Sequence, residues 1–222
     1  MIRSIRILSL LLLLTMLTTY YPNYNGSEKS FIFPIKKIEI ENTILYDPMT
    51  LAYDLKDIKG MSLLLINYHK IKKLILEFEF INSFSIKKIY PDKIKIIIIE
   101  KKPLAIYIDG INKFYITKNG DLVKYIDLDG YENLPLVFGK NIEFNNFFND
   151  INEIQFPFDK IKKFHYFEIG RWDIILKNGK IIKLPGTNYT EILKRFILMS
   201  DNQNFNKYNI FDFRIKDQLI LK

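Results

Sequence analysis

The segment Ile81–Tyr107, INSFSIKKIYPDKIKIIIIEKKPLAIY, constrains the fold more than any other part of the chain. Two strand-like runs meet at Tyr90-Pro91-Asp92-Lys93, and the second leaves through Glu100-Lys101-Lys102-Pro103-Leu104-Ala105. The run Ile94-Lys95-Ile96-Ile97-Ile98-Ile99 is too apolar for a sheet edge, so it belongs in the middle of a sheet. Its hairpin partner Ser83–Ile89 is then left as an open edge. Ser83, Ser85, Lys87 and Lys88 line that edge, with the lysines placed to discourage stray pairing. The segment carries no nucleophile, metal cluster or phosphate loop; a hairpin with charged flanks builds a surface.

The residues before it supply the rest of a small unit. Ile38-Glu39-Ile40 alternates like a strand. Asp47-Pro48 pairs an N-cap with a Pro at the first helical position, and Leu51, Ala52, Leu55 and Ile58 line one face before Gly60. Over Tyr68–Phe78, Ile71, Leu74, Ile75 and Phe78 recur at helical spacing, with Lys70, Lys72, Lys73 and Glu77 outward. The predicted order is β-α-α-β-β, with both helices burying their stripes on one face of a three-stranded sheet.

From Pro103 the pattern becomes a β-meander. Asn119-Gly120 and Asn178-Gly179 predict type I′ hairpins, whose two central residues need positive φ. A helix is predicted over Tyr189–Met199, capped by Asn188 with Glu191 three residues on. Phe205–Lys222 is predicted to finish as strand. The fold class is therefore α+β, with a mostly antiparallel second unit ending in a helix and a strand.

At the other end, Ile7–Leu17 is almost wholly Leu, Ile and Met, preceded by Arg3 and Arg6 and followed by Tyr20-Tyr21. It reaches the length of a spanning helix by adding Ile2 and Ile5 and letting Arg6 snorkel. A cleaved signal peptide fits the same length, but no small-x-small site follows. Either way the arginines hold the N-terminus inside and put residue 30 onward outside the cytoplasm. The expected divisions are an anchor over 1–21, a linker over 22–30, and folded units over 31–102 and 103–222.

The net charge of +8 raises a nucleic-acid reading. The lysines answer it: they come as scattered pairs beside apolar residues, as at Lys36-Lys37, Lys72-Lys73 and Lys162-Lys163, which suits solvated faces. Attraction to anionic lipid headgroups near an anchor is the alternative. With no cysteine, disulfides, thiolate zinc sites and cysteine nucleophiles are excluded. His69 and His165 are the only histidines and lie in different units. Asp127-Leu128-Asp129-Gly130 has its Gly too early for an EF-hand loop and reads as a turn. Glu77 and Glu79 read as solvated charges, and Ser62, Ser83 and Ser85 have no base near them in sequence. No enzyme, cofactor or metal site is expected.

These motifs, in order, resemble the FtsQ/DivIB cell-division family, with its POTRA domain followed by a β-domain. Phe80-Ile81 stands for the family's aromatic-Val pair, Tyr90-Pro91-Asp92 for its hairpin, and Glu100-Lys101-Lys102-Pro103-Leu104-Ala105 for its exit, with Lys101 where Arg is usual. The β-domain is matched at Asn119-Gly120, Leu134-Pro135-Leu136 with Gly139, Arg171-Trp172-Asp173 to Asn178-Gly179, Lys183-Leu184-Pro185 and Asp212-Phe213-Arg214. Against the family pattern, the cytoplasmic tail is expected to be nearly absent and the C-terminal extension of some members missing. Asn42 stands where the first POTRA turn often has Gly, which is tolerable because Asn visits the left-handed region. The resemblance implies a non-enzymatic divisome protein of the inner membrane whose partners are FtsB and FtsL. It implies partner binding at the last strand, through Asp212, Arg214, Ile215, Asp217, Leu219, Ile220 and Leu221, where Pro in place of Ile220 should remove a ladder donor. A POTRA-bearing secretion or outer-membrane assembly factor is the rival reading, but the region after Pro103 is short for a transmembrane barrel.

Overall fold

In the computed structural model the described residues are 2–18, 32–140, 143–200 and 202–222. Helix α1 (Ile2–Thr18) has 17 residues, short of the roughly 20 that a span needs. Among the described residues no helix is long and apolar enough to cross a membrane. The last part of the expected anchor and the expected linker lie outside the described residues.

The first sheet holds three strands in the order β1-β3-β2, from β1 (Lys37–Glu41), β2 (Ile81–Ile89) and β3 (Lys93–Glu100). The all-but-continuous Ile run is the central strand, as its apolarity requires. β1 lies parallel to it and β2 antiparallel, so β2 is an open edge. Between β1 and β2 come α2 (Pro48–Asp54) and α3 (Tyr68–Ile75). Asp47 caps α2 by accepting from the Thr50 N–H, and Asn67 caps α3 by accepting from His69. Both helices bury the predicted stripe: Leu51, Leu55, Ile71 and Ile75 pack against Ile94, Ile96 and Ile98. Phe78 lies past the end of α3 but still packs on this core. Asn42 has φ 63°, the left-handed conformation anticipated for it.

The second sheet has nine strands, ordered β12-β11-β10-β9-β8-β7-β4-β5-β6. They are β4 (Pro103–Asp109), β5 (Asn112–Thr117), β6 (Leu122–Lys124), β7 (Leu136–Phe138), β8 (Ile161–Phe167), β9 (Arg171–Leu176), β10 (Ile181–Lys183), β11 (Ile210–Asp212) and β12 (Ile220–Leu221). Most neighbours are antiparallel, but β4–β7, β7–β8 and β10–β11 are parallel. Two helices, α4 (Phe144–Glu153) and α5 (Tyr189–Ser200), cover one face. Phe144, Phe147 and Phe148 of α4 and Phe196 of α5 meet Phe164, Trp172 and Phe211 of the sheet there. A smaller cluster on the opposite face of β4–β6 joins the two units, with Phe80 of the first packed among Ile106, Tyr115, Val123 and Leu128 of the second.

Three expectations are corrected, and one helix is added to them. The region 205–222 is not one strand: a 3₁₀ turn at Gln203–Phe205 precedes β11, and a turn around Asp217 (φ 60°) separates β11 from β12. The two Asn-Gly hairpins have positive φ at Gly120 and Gly179 alone. Each therefore closes as a longer loop with the Gly at a bulge, as the Gly179 N–H to Leu176 carbonyl bond and the Leu176 N–H to Lys180 carbonyl bond show. Asn188 stands at φ 57°, the wrong backbone region for an N-cap, so its predicted cap does not form. Helix α4 was not anticipated at all.

Candidate functional site

Strand β12 forms one end of the nine-stranded sheet and, among the described residues, pairs only with β11. Ile210 and Lys222 exchange both backbone bonds, at 2.9 and 3.1 Å. Antiparallel ladders alternate, so Ile220, opposite Asp212, also turns its N–H and C=O inward to β11. The outward groups on β12 belong to Leu221. The Ile220 N–H is thus a ladder donor within the protein's own sheet, and the neighbouring Leu221 is the residue whose backbone faces outward.

Side chains alternate as well. Leu221 and Leu219 pack on the helix-side core, whereas Ile220 stands on the opposite, uncovered face and is 38% exposed. Asp212 and Arg214 share that neighbourhood in a bidentate pair, Nε to Oδ1 at 2.7 Å and Nη2 to Oδ2 at 2.5 Å. The Arg214 guanidinium holds the Asp212 carboxyl below the usual carboxylate range against the opposing effect of burial. Ile215 is half exposed in the turn that carries Asp217. Of the seven residues expected at this edge, the structure thus brings Arg214, Ile215 and Ile220 to the surface, leaves Asp212 buried beside Arg214, turns Leu219 and Leu221 inward, and puts Asp217 in the connecting turn.

Pairing register extends the surface across the sheet. Asp212 lies beside Lys183, Lys183 beside Asp173, and Asp173 beside His165, all on the face away from the two helices, where both carboxylates are nonetheless buried. Burial pushes the Asp173 carboxyl up, opposed chiefly by Arg171, and its Oδ1 has no hydrogen-bond partner. Farther along, the His165 ring stacks on Phe167 at 4.5 Å and the Arg171 guanidinium lies 4.5 Å over the same ring. Lys183 and Arg171-Trp172-Asp173 were legible as motifs; their adjacency to Asp212 required the register. On the other side of the terminal turn, a groove of about 750 Å³ runs between α5 and residues 213–219, lined by Ile192, Arg195, Met199, Ile215 and Leu219.

The second expected edge behaves differently on its two faces. Phe84 and Ile86 point to the helix-side core, so Ser83, Ser85 and Lys87 stand on the solvent face of β2. Lys88 follows the inner parity and reaches across to the Leu64 carbonyl, 3.3 Å away.

Two of the residues considered for catalysis, Ser62 and Glu79, have structural partners. Ser62 donates to the Ile32 carbonyl at 2.7 Å. Glu79 accepts from the Lys124 N–H at 3.1 Å and so occupies a backbone donor of β6, the sheet's other edge strand. Asp127–Gly130 runs into a turn closed by the Tyr131 N–H to Leu128 carbonyl bond. Among the described residues no group of three His, Asp or Glu side chains is placed to hold a metal ion.

Comparison with known proteins agrees with this architecture. Residues 33–101 match the family "POTRA domain, FtsQ-type", and residues 105–214 match "Cell division protein FtsQ/DivIB, C-terminal". The cell division protein FtsQ of Rhizobium meliloti is 23% identical over 161 residues, which cover 71% of this chain and 52% of that protein. FtsQ of Rickettsia bellii is 26% identical over 194 residues, covering 86% of this chain and 72% of that protein. The chain thus spans about half to three quarters of these two relatives' length. The major extracytoplasmic domain of the cell-division protein DivIB from Geobacillus stearothermophilus is similar over 49% of this chain and 98% of that one, at 14% identity and a TM-score of 0.33. The two family matches follow one another in the same order as the two sheets and together cover most of the sequence, so the chain belongs to the FtsQ/DivIB family of cell-division proteins.

Proposed function

We propose that this chain is a single-pass inner-membrane scaffold of the division septum, with its N-terminus cytoplasmic and its bulk periplasmic. In this reading residues 1–21 anchor it, 22–30 link it, the POTRA domain spans 31–102 and the β-domain 103–222. It makes and breaks no covalent bonds. It binds FtsB, which comes with FtsL, and so helps to coordinate septal peptidoglycan synthesis. The observation that carries the reading is the one-sided pairing of β12. Its outward Leu221 N–H and C=O can receive a partner's strand, while Ile220, Arg214 and Ile215 beside them supply side-chain selection. Helix α1 supports the anchor: Ile5, Ile7, Leu8, Leu10, Leu12 and Leu13 are exposed around its circumference, as suits a lipid-facing helix.

The register defines the test. Pro is tolerated on an edge strand where its missing N–H faced outward. Leu221→Pro therefore removes the donor offered to a partner and leaves the β11–β12 ladder in place. In co-purification of the full chain with an FtsB–FtsL complex, this variant is expected to lose at least tenfold in capture. Its unfolding transition should stay close to that of the parent. Undiminished capture overturns the strand-addition reading.

A further inference from the structure

A second exposed apolar patch lies where the chain enters the POTRA domain. Ile32 is 70% exposed, Leu65 78%, Leu64 49%, Tyr90 50% and Phe33 40%. They form one surface. The Ser62 hydroxyl joins the Ile32 carbonyl to the Leu64 N–H, and the Leu63 N–H bonds the Phe33 carbonyl at 2.9 Å. The Phe33 and Tyr90 rings meet edge to face at 5.2 Å. Such a contiguous apolar group on a folded domain calls for an occupant.

Lysines border it. Lys88 holds its ammonium against the Leu64 carbonyl. Lys36 sits where the entering chain bonds the Asp92 carbonyl at the base of the Tyr90 turn, and Lys59 precedes Gly60, whose N–H bonds Ile35. Asp92, the carboxylate of that turn, is half-buried. Aromatic and aliphatic side chains inside a rim of lysines match the chemistry of a bilayer surface, where rings sit at headgroup level and ammonium groups meet phosphates. The patch also stands at one end of a tether. Residues 19–31 separate it from α1, a reach of at most about 50 Å. A short tether raises the local concentration of the two ends enough for a weak contact to be occupied.

The geometry points to a membrane-docking face: Ile32, Phe33, Leu64, Leu65 and Tyr90 rest on the bilayer that anchors the chain, with Lys36, Lys59 and Lys88 on anionic phospholipid headgroups. This deepens the scaffold reading and rests on its anchor. Docking there orients the POTRA domain relative to the membrane and leaves the β12 edge to a partner.

Leu65→Trp in the full chain, reconstituted into vesicles of phosphatidylcholine with or without phosphatidylglycerol, tests it. The chain's one native tryptophan, Trp172, is 4% exposed and gives a background shielded from lipid. With brominated acyl chains in the anionic vesicles, the added emission is expected to fall to less than half. Lys59→Glu with Lys88→Glu should restore it, and a Leu198→Trp control, on an exposed position of α5, should not respond. Flotation of the chain with vesicles after an alkaline wash reads the anchor separately. Flotation without quenching overturns the docking face and keeps the anchor. Quenching without flotation keeps the face and overturns the anchor, and loss of both overturns the two together.

Discussion

Both oxygens of the Glu100 carboxylate accept from the Leu45 N–H, at 3.1 and 3.0 Å, across more than fifty residues of sequence. The same carboxylate takes the Ile44 N–H at 2.9 Å and the Tyr46 N–H at 3.3 Å. One acidic side chain at the POTRA exit thus satisfies three consecutive donors of the loop that follows β1. Neither end of this arrangement is visible as a local motif, because the loop 44–46 offers only backbone.

Glu100→Ala should leave those donors to water or unpaired. Part of the site is open to solvent, so the expected loss is about 1–2 kcal/mol rather than the full cost of three orphaned groups. Glu100→Gln keeps an acceptor but not the charge and should cost about half as much. Denaturant midpoints of the two variants check this, and equal stability of Glu100→Ala and the parent would contradict it.

Phe80 ties the two sheets together. It is 2% exposed, with its ring edge-on to Tyr115 of the β-domain at 5.7 Å and to Tyr46 of the POTRA domain at 6.4 Å. Its carbonyl accepts from Lys101 and its N–H donates to the Tyr46 hydroxyl. Phe80→Ala should cost about 3–5 kcal/mol through the cavity it opens. The loss falls at the junction, so a single calorimetric transition should split into two. A lowered but still single transition would show that other contacts couple the units.

The POTRA half was legible because its periodicities are clean and its central strand is apolar on both parities. Ile97 and Ile99 are the cost of that pattern: they face away from the helices, and Ile99 is 56% exposed. The β-domain was less legible for particular reasons. Helix α4 reads FNNFFNDINE, whose asparagines argue against helix. Yet Phe144, Phe147, Phe148 and Ile151 fall at i, i+3, i+4 and i+7 and are buried, so the signal was present and outweighed. The edge position of the last strand could be anticipated, but not the parity of its outward donor. That depends on the Ile210–Lys222 pairing, which the turn at Asp217 sets. The charged row from His165 to Asp212 was likewise invisible, since its members come from four strands.

Gly139 is held by contact as much as by conformation. At φ 96°, a Cβ built there would lie 2.4 Å from the Tyr166 carbonyl oxygen on the neighbouring strand. Gly130 has a similar φ of 85° but no atom within 4 Å of the same position. Gly130→Ala should therefore cost only the left-handed backbone penalty, about 1–2 kcal/mol. Gly139→Ala must also separate β7 from β8, and about 3 kcal/mol or more is expected. Thermal midpoints of the two variants, measured together, separate the contributions; similar losses would mean that the β7–β8 spacing yields freely.

Two buried carboxylates on the helix-free face of the sheet should push stability in opposite directions with pH. Asp212 has its carboxyl lowered, first by Arg214. Its contribution is full above the ordinary carboxylate range and is lost as pH falls through the lowered folded-state value. Asp173 is raised, first by burial. The folded protein therefore prefers its protonated form, and stability from this group is greatest in acid and lost as pH rises through the raised value. Asp212→Asn should cost about 1 kcal/mol at neutral pH, since the bidentate pair is partly screened by solvent, and the difference from the parent should shrink in acid. Asp173→Asn should stabilise at neutral pH by removing a charge that burial disfavours, and its advantage should vanish as the parent's carboxyl protonates. Urea midpoints from pH 3 to pH 8 distinguish the two slopes. If Asp173→Asn lowers stability at neutral pH, then the opposing charges of Arg171 and Lys183 outweigh burial and the raised carboxyl is contradicted.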